Sequence, residues 1–207
     1  MSAEVVVHIV DDEEAVRNSL AFLLSISGYA VKVHDSATAF LRHAKGLTSA
    51  CLITDLRMPD MSGVELIKRL RSENIMIPAI VITGHGDVPM AVEAMKAGAI
   101  DFLEKPFEDD VIVNAVARAI EMIEKRPVVN ADVDTIRERI AQLSERERQV
   151  MQGVIAGQSN KTIAYNLDIS PRTVEVHRAN VMAKMNCKSL PELVRMVLSV
   201  GDLPQPS

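Results

Sequence analysis

The sequence predicts an α/β protein in two parts: a doubly wound, five-stranded parallel sheet over residues 1–125, then a small all-α domain over residues 142–207. Three observations predict it. Through residue 125, apolar runs of strand length alternate with segments whose apolar residues recur at helical spacing. Acidic residues, a threonine and a lysine stand where those apolar runs end. Beyond Pro127 no strand-like run recurs, and helix-start signals follow one another at short intervals.

The elements can be justified in order. "EVVVHIV" is a continuous apolar strand. Residues 14–27 carry Val16, Leu20, Leu23 and Leu24 at helical spacing and stop at Gly28. "YAVKVH" is strand-like, 37–44 helical, and 50–54 a third strand of buried type. The next helix starts near Ser62, where Ser62 and Glu65 form an S-x-x-E capping box. "PAIVIT" is the fourth strand, 87–97 a helix closed by Gly98, and "DFLE" a short fifth strand. The helix over 109–125 puts Val113, Val116, Ile120 and Ile123 on one face. Five βα units in succession imply a parallel sheet covered on both sides. Residues 126–141 are the expected linker. Ser144 with Glu147, Ser159, Ser170 with Pro171, and Ser189 with Glu192 then open four short helices.

Composition narrows the function classes. With 48% hydrophobic and 25% charged residues in 207, the chain has a real core and is not disordered. It has no apolar run of membrane-spanning length, and "MSAEVVVHIVDDEE" lacks the basic start of a signal peptide. Cys51 and Cys187 give neither metal spacing nor a disulfide framework. A cytoplasmic protein without a membrane partner is expected. Charge is uneven: residues 1–135 hold 13 basic and 21 acidic side chains, net −8, and residues 136–207 hold 10 and 7, net +3. Two domains with different partners fit that division.

Asp11 and Asp12 follow strand one, Asp55 ends strand three, Thr83 ends strand four and Lys105 follows strand five. In doubly wound sheets these carboxyl ends, at the topological switch point, are where ligands bind. Taken singly, Asp55 is a turn former, Asp11 and Asp12 are helix N-terminal acids and Lys105 is a surface charge. Their joint placement reverses that reading. Converging carboxylates need a cation, and oxygen-only ligands favour Mg²⁺ or Mn²⁺. An ion, an ammonium and a hydroxyl together can host a phosphoryl group, with Asp55 as the nucleophile.

"VDDEE", "TDLRMPDMSG", "VITGHGD" and "DFLEKPF" occur in that order, and residues 1–125 resemble the flavodoxin-like receiver domain of two-component response regulators. The resemblance implies that Asp55 accepts a phosphoryl group from a sensor histidine kinase. It implies Mg²⁺ on Asp11, Asp12, Asp55 and the carbonyl of Arg57. It places Thr83 and Lys105 on the phosphoryl oxygens, makes Phe102 the switch aromatic, and gives a cis Lys105–Pro106 bond. Gly84 stands where many relatives carry alanine, which leaves the loop more open. No special role is expected for His8, His34 or His43, and His85 is expected in a solvated loop.

In "SNKTIAYNLDISPRTVEVHRANVMAKM" two helices flank a short turn. Val174, His177, Val181 and Met185 share one face of the second helix; Arg172, Glu175, Val176, Ala179 and Ala183 share the other. The second set suits a recognition helix in a major groove, and Lys161, Arg178, Lys184 and Lys188 suit phosphates. Charge alone, at +3, modestly favours a plain helical bundle with solvated charges. "LSERERQVM", "GQSNKTIAYNLDIS" and "TVEVHRANVMAKM" resemble the LuxR-type helix-turn-helix over 143–200, and the whole chain resembles the NarL/FixJ family, especially its FixJ-type nitrogen-fixation regulators. The expected DNA contacts are Lys161, Arg172, Thr173, Glu175, Val176, Arg178, Ala179, Asn180 and Lys184. Expected partners are the kinase, double-stranded promoter DNA, RNA polymerase and, on phosphorylation, a second copy. That copy would dock through Val88, Met90 and Val92 near Phe102, and through the last helix at Leu193, Val197 and Leu198.

Two alternatives are weaker. An aspartate-nucleophile phosphohydrolase carries its nucleophile in a D-x-D after the first strand, whereas here "DDEE" follows strand one. A receiver that only dimerises would not need the full acidic set with Thr83 and Lys105. The expectation is a regulator and not an enzyme, beyond Mg-dependent self-phosphorylation from small donors and self-dephosphorylation.

Overall fold

The structure, a computed structural model, describes residues 5–84, 88–124 and 130–200, with side chains for all of these except 124 and 130–134. Strands β1 (Val6–Val10), β2 (Ala30–His34), β3 (Ala50–Asp55), β4 (Ala79–Thr83) and β5 (Asp101–Glu104) form one parallel sheet in the order β2-β1-β3-β4-β5. The intervening helices are α1 (Glu14–Ile26), α2 (Ala37–Ala44), α3 (Gly63–Ser72), α4 (Val88–Ala97) and α5 (Asp109–Glu124). Helices α6 (Asn130–Ala141), α7 (Glu145–Ile155), α8 (Asn160–Leu167), α9 (Pro171–Met185) and α10 (Leu190–Ser199) follow. Contacts group the elements into two compact units: the five strands with α1, α2, α3 and α5, and α6–α10 together with α4 as far as Lys96.

Every residue of β3 is buried, as the central strand of a sheet covered on both faces must be. On one face Val7, Ile9, Cys51, Ile53, Ile80 and Ile82 pack against Leu20 and Leu24 of α1 and Ile112, Val116 and Ala119 of α5. On the other face His8 meets Phe40 of α2 edge-on. Five helix starts are those the sequence marks: Ser62 and Ser144 complete reciprocal capping boxes with Glu65 and Glu147, and Ser159, Ser170 and Ser189 accept from their N3 amides; Ser36 caps α2 in the same way. In the second unit Val150, Val154, Ile163, Ala164 and Val174 form the core, with Val88, Leu167, Ile169 and Leu190 packed on it.

Two features differ from expectation. The expected linker contains α6, whose Ile136 and Ile140 are buried, so an i,i+4 apolar pair gives this stretch a packed face. His8 and His34, expected to be unremarkable, form a stacked pair with His8 Nδ1 and His34 Nε2 3.0 Å apart, one nitrogen donating to the other. The register pairing Val10 with His34 puts both rings on the same face. His43 of α2 lies beside His34. His85 lies outside the described residues.

Burial, then the charges of His34, Lys32 and His43, lower the His8 pKa from 6.5 to about 4. The unfolded chain protonates this imidazole near pH 6.5 and the folded chain only near 4, so between those values the unfolded state binds the extra proton. The first unit should therefore lose stability as pH falls from 6.5 toward 4, by about 3 kcal/mol at the limit from this group. Denaturant melts across that range should show a shallower acid slope for His8→Phe; identical slopes would assign the acid sensitivity to other groups.

Candidate functional site

Strand register assembles the site. Val10 pairs with Thr54, so Asp11, one residue past β1, lies beside Asp55, the last residue of β3. Asp55 pairs with Ile82, and Thr83 with Glu104, which carries Thr83 and Lys105 to the same edge. Between β1 and β3 the strand order reverses, making the crevice where such sheets bind ligands.

Within it, Lys105 Nζ lies 2.9 Å from Asp55 Oδ1 and 3.0 Å from Asp11 Oδ2. Asp55 Oδ2 accepts the Arg57 backbone N–H at 2.7 Å, and Asp11 Oδ1 that of Glu13 at 2.8 Å. Asp11 is 1% exposed and Asp55 8%, so the pair is largely desolvated while Asp55 keeps an opening to solvent. Burial alone would lower the Lys105 pKa. Hydrogen bonds to Asp55 and Asp11, and their charges, outweigh it and hold the ammonium above its ordinary value. Buried Thr83 offers its carbonyl to the Lys105 N–H at 2.7 Å, and the Lys105–Pro106 bond is cis.

The expected metal ligands are only partly gathered. Asp11 and Asp55 converge, but Asp12 and Arg57 are exposed, and among the described residues no three His, Cys, Asp or Glu side chains group as a metal site. Here one ammonium bridges the two carboxylates. The donors at this edge are nonetheless all oxygen, the chemistry that suits Mg²⁺. Phe102 is half-buried on β5. Of the expected dimer face, Val88 and Met90 are half-buried, but Val92 is 1% exposed and cannot contribute an open surface in this arrangement. Leu193 and Val197 are likewise core residues of α10, leaving Leu198 exposed.

In the second unit, Arg172, Glu175, Val176, Ala179 and Asn180 form an exposed face of α9, opposite buried Val174, Val181 and Met185. The His177 ring nitrogen Nδ1 is buried without a hydrogen-bond partner, as befits a packed histidine and not a base reader. Thr173 serves the N-cap: its hydroxyl is 2.7 Å from the Ser170 hydroxyl. Half-buried Arg178 donates to Asn160 Oδ1 at 2.8 Å, tying α9 to the first turn of α8. Lys161 is exposed. Lys184 is not the free phosphate-holding ammonium expected: it donates to Glu147 Oε2 at 2.6 Å. That bond, the Ser144 amide and the lysine charge lower the Glu147 pKa to about 2. Tyr165, 88% exposed and one turn beyond Lys161 on α8, lies on the same exposed side of that helix.

The fold and this strand-end cluster define a receiver domain joined to a helix-turn-helix domain, and comparison with known proteins agrees. Residues 7–117 match the family described as "Response regulator receiver domain", and 141–197 that described as "Bacterial regulatory proteins, luxR family". The chain belongs to the response regulators that combine the two, and is a FixJ-like transcription regulator. It is 65% identical to "Transcriptional regulatory protein FixJ" of Rhizobium meliloti (strain 1021) over 195 residues, 94% of this chain and 96% of that protein. FixJ of Bradyrhizobium diazoefficiens is 51% identical over 95% of this chain and 96% of its own. The crystal structure of full-length FixJ from B. japonicum covers 97% of this chain and 98% of its own at 50% identity, with a TM-score of 0.58.

A close approach makes one glycine necessary at the site. A Cβ on Gly63 would overlap the backbone carbonyl oxygen of Asp55 and meet Thr54 Cγ2 at 3.0 Å, whereas one on Gly84 would meet nothing within 4 Å. Gly63→Ala should lower stability by about 1–3 kcal/mol and Gly84→Ala by no more than about 0.5 kcal/mol, read from denaturant midpoints.

Proposed function

We propose that a sensor histidine kinase phosphorylates Asp55, that the phosphorylated chain pairs with a second copy, and that the pair binds promoter DNA through α9 and activates transcription with RNA polymerase. Nitrogen-fixation genes are the proposed targets, by likeness to the FixJ proteins. The observation that carries the first step is the Lys105 ammonium held between Asp11 and Asp55 at the strand ends. An oxygen of Asp55 attacks phosphorus as the P–N bond to the kinase's phosphohistidine breaks and its imidazole leaves, and the charge gathering on the phosphoryl oxygens is met by Lys105 and the Thr83 hydroxyl. Mg²⁺, which receiver domains use, would be held by Asp11, Asp12, Asp55 and the Arg57 carbonyl and would supply further neutralisation of that charge. The role is that of a phosphoryl-accepting regulator and not of an enzyme with an external substrate. No helix among the described residues is long and apolar enough to cross a membrane, in keeping with a cytoplasmic site of action.

Incubation with acetyl phosphate and Mg²⁺ should add one phosphoryl group by intact-mass analysis, and Asp55→Asn should abolish it. Stoichiometric label persisting elsewhere would defeat the assignment.

Two substitutions on α9 should separate its roles. Glu175 is exposed on the groove-facing side, and a carboxylate there can accept from a cytosine amino group. Glu175→Ala should relax preference at one base pair by about 1–3 kcal/mol. Arg178 suits a phosphate contact, which carries no sequence information, so Arg178→Ala should weaken binding to all duplexes alike. A changed preference without loss of general affinity for Arg178→Ala would show the two roles to be misassigned.

A further inference from the structure

The carboxyl end of α9 is held by residues that no helix-turn-helix contact explains. The cap amides of Asn186 reach the carbonyls of Ala183 and Met182, and Cys187 N–H also reaches Met182. The carbonyl of Met185, the last residue of the helix, is instead taken by Arg139 Nη1 of α6 at 3.0 Å. From the residue just before Met185, Lys184 Nζ donates to Glu147 of α7 at 2.6 Å and lies 3.5 Å from the Gln142 carbonyl. Three successive elements, α6, the turn after it and the start of α7, thus converge on one end of the recognition helix. A cation at a helix carboxyl terminus is also favoured by the helix dipole. Arg139 lies before residue 141, where the match to the luxR-type family begins.

We propose that Arg139 is a positioning residue for DNA reading, and that α6 is a working part of the DNA-binding unit that sets the carriage of α9 in the groove. This rests on the reading of α9 as the recognition helix. Arg139 itself has no part in touching bases. With Ile136 and Ile140 buried, α6 has a fixed seat from which a guanidinium can fork onto the end of α9. Base readout depends on bidentate geometry and suffers when a helix tilts or frays, while phosphate contacts tolerate such shifts. Loosening this end should therefore degrade selectivity before it degrades general affinity.

The test uses the full chain, phosphorylated with acetyl phosphate and Mg²⁺. Duplexes are selected by the parent protein from a random-sequence pool, and affinities for selected and unselected duplexes are measured at fixed salt for the parent, Arg139→Ala and Arg139→Lys. Arg139→Ala should bind selected duplexes about tenfold more weakly, the scale of one charged hydrogen bond, and unselected ones within about twofold. Arg139→Lys, which keeps charge and a donor, should recover most of the loss. Unchanged binding to selected duplexes, or an equal loss on both kinds, would overturn the proposal. Should the parent select no duplex, the reading of α9 fails, and amide exchange at Asn186 and Cys187 decides the clamp by itself. About tenfold faster exchange in Arg139→Ala supports it, and unchanged exchange overturns it.

Discussion

Two carboxylates, Asp11 and Asp55, are brought side by side by the parallel pairing of β1 with β3, and one ammonium bridges them. Much of the first unit is arranged around that constraint. Two like charges at about 1% and 8% exposure repel, and leaving either without a partner would cost about 3–5 kcal/mol on the scale of buried ion pairs. Lys105 meets the cost only because β5 lies next to β4, with its backbone N–H fixed to the Thr83 carbonyl. The remaining carboxylate lone pairs are turned to the amides of Glu13 and Arg57. Gly63 lets α3 begin against the Asp55 carbonyl, where a Cβ would overlap the carbonyl oxygen and force backbone to shift.

The second unit uses a related device for a different end. Glu147 completes the capping box that starts α7 and also receives Lys184 from α9, so one buried carboxylate closes a helix start and anchors another helix. Arg178 does the corresponding work at the middle of α9, joining it to Asn160 of α8. The exposed face of α9 carries Arg172, Glu175, Val176, Ala179 and Asn180, side chains other than the Lys184 and Arg178 that bond α9 to its neighbours. Separating holding from reading residues leaves the face open to change without unfolding the domain.

Much of this was legible in the chain because it is written in local signals. Strand ends, capping boxes and the position of Asp55 depend on residues a few places apart, and a two-residue period fixes which side chains face which way. What escaped depends on distance along the chain. Glu147 and Lys184 are 37 residues apart, and only the packing of α7 on α9 brings them together. His8 and His34 meet because of a β1–β2 register that neither strand announces. Val92 reads as a surface residue between charges yet is buried by tertiary packing. The helix α6 was hidden behind Pro127 in a segment with few apolar residues, where Ile136 and Ile140 were the one faint periodic sign.

The pairing of Lys184 with Glu147 bears on how the domain can bind DNA at all. Residues 136–207 carry a net charge of only +3, and one of their cations is already neutralised within the fold. Glu175, on the reading face, opposes the phosphate field further. Since non-specific affinity rises with the number of phosphates neutralised, a single copy should hold a duplex weakly. Joining two copies makes the second binding event intramolecular and multiplies modest contacts without adding charge. A weakly basic reading head is therefore suited to control by pairing: a strongly basic one would stay on DNA whether or not its receiver carried a phosphoryl group.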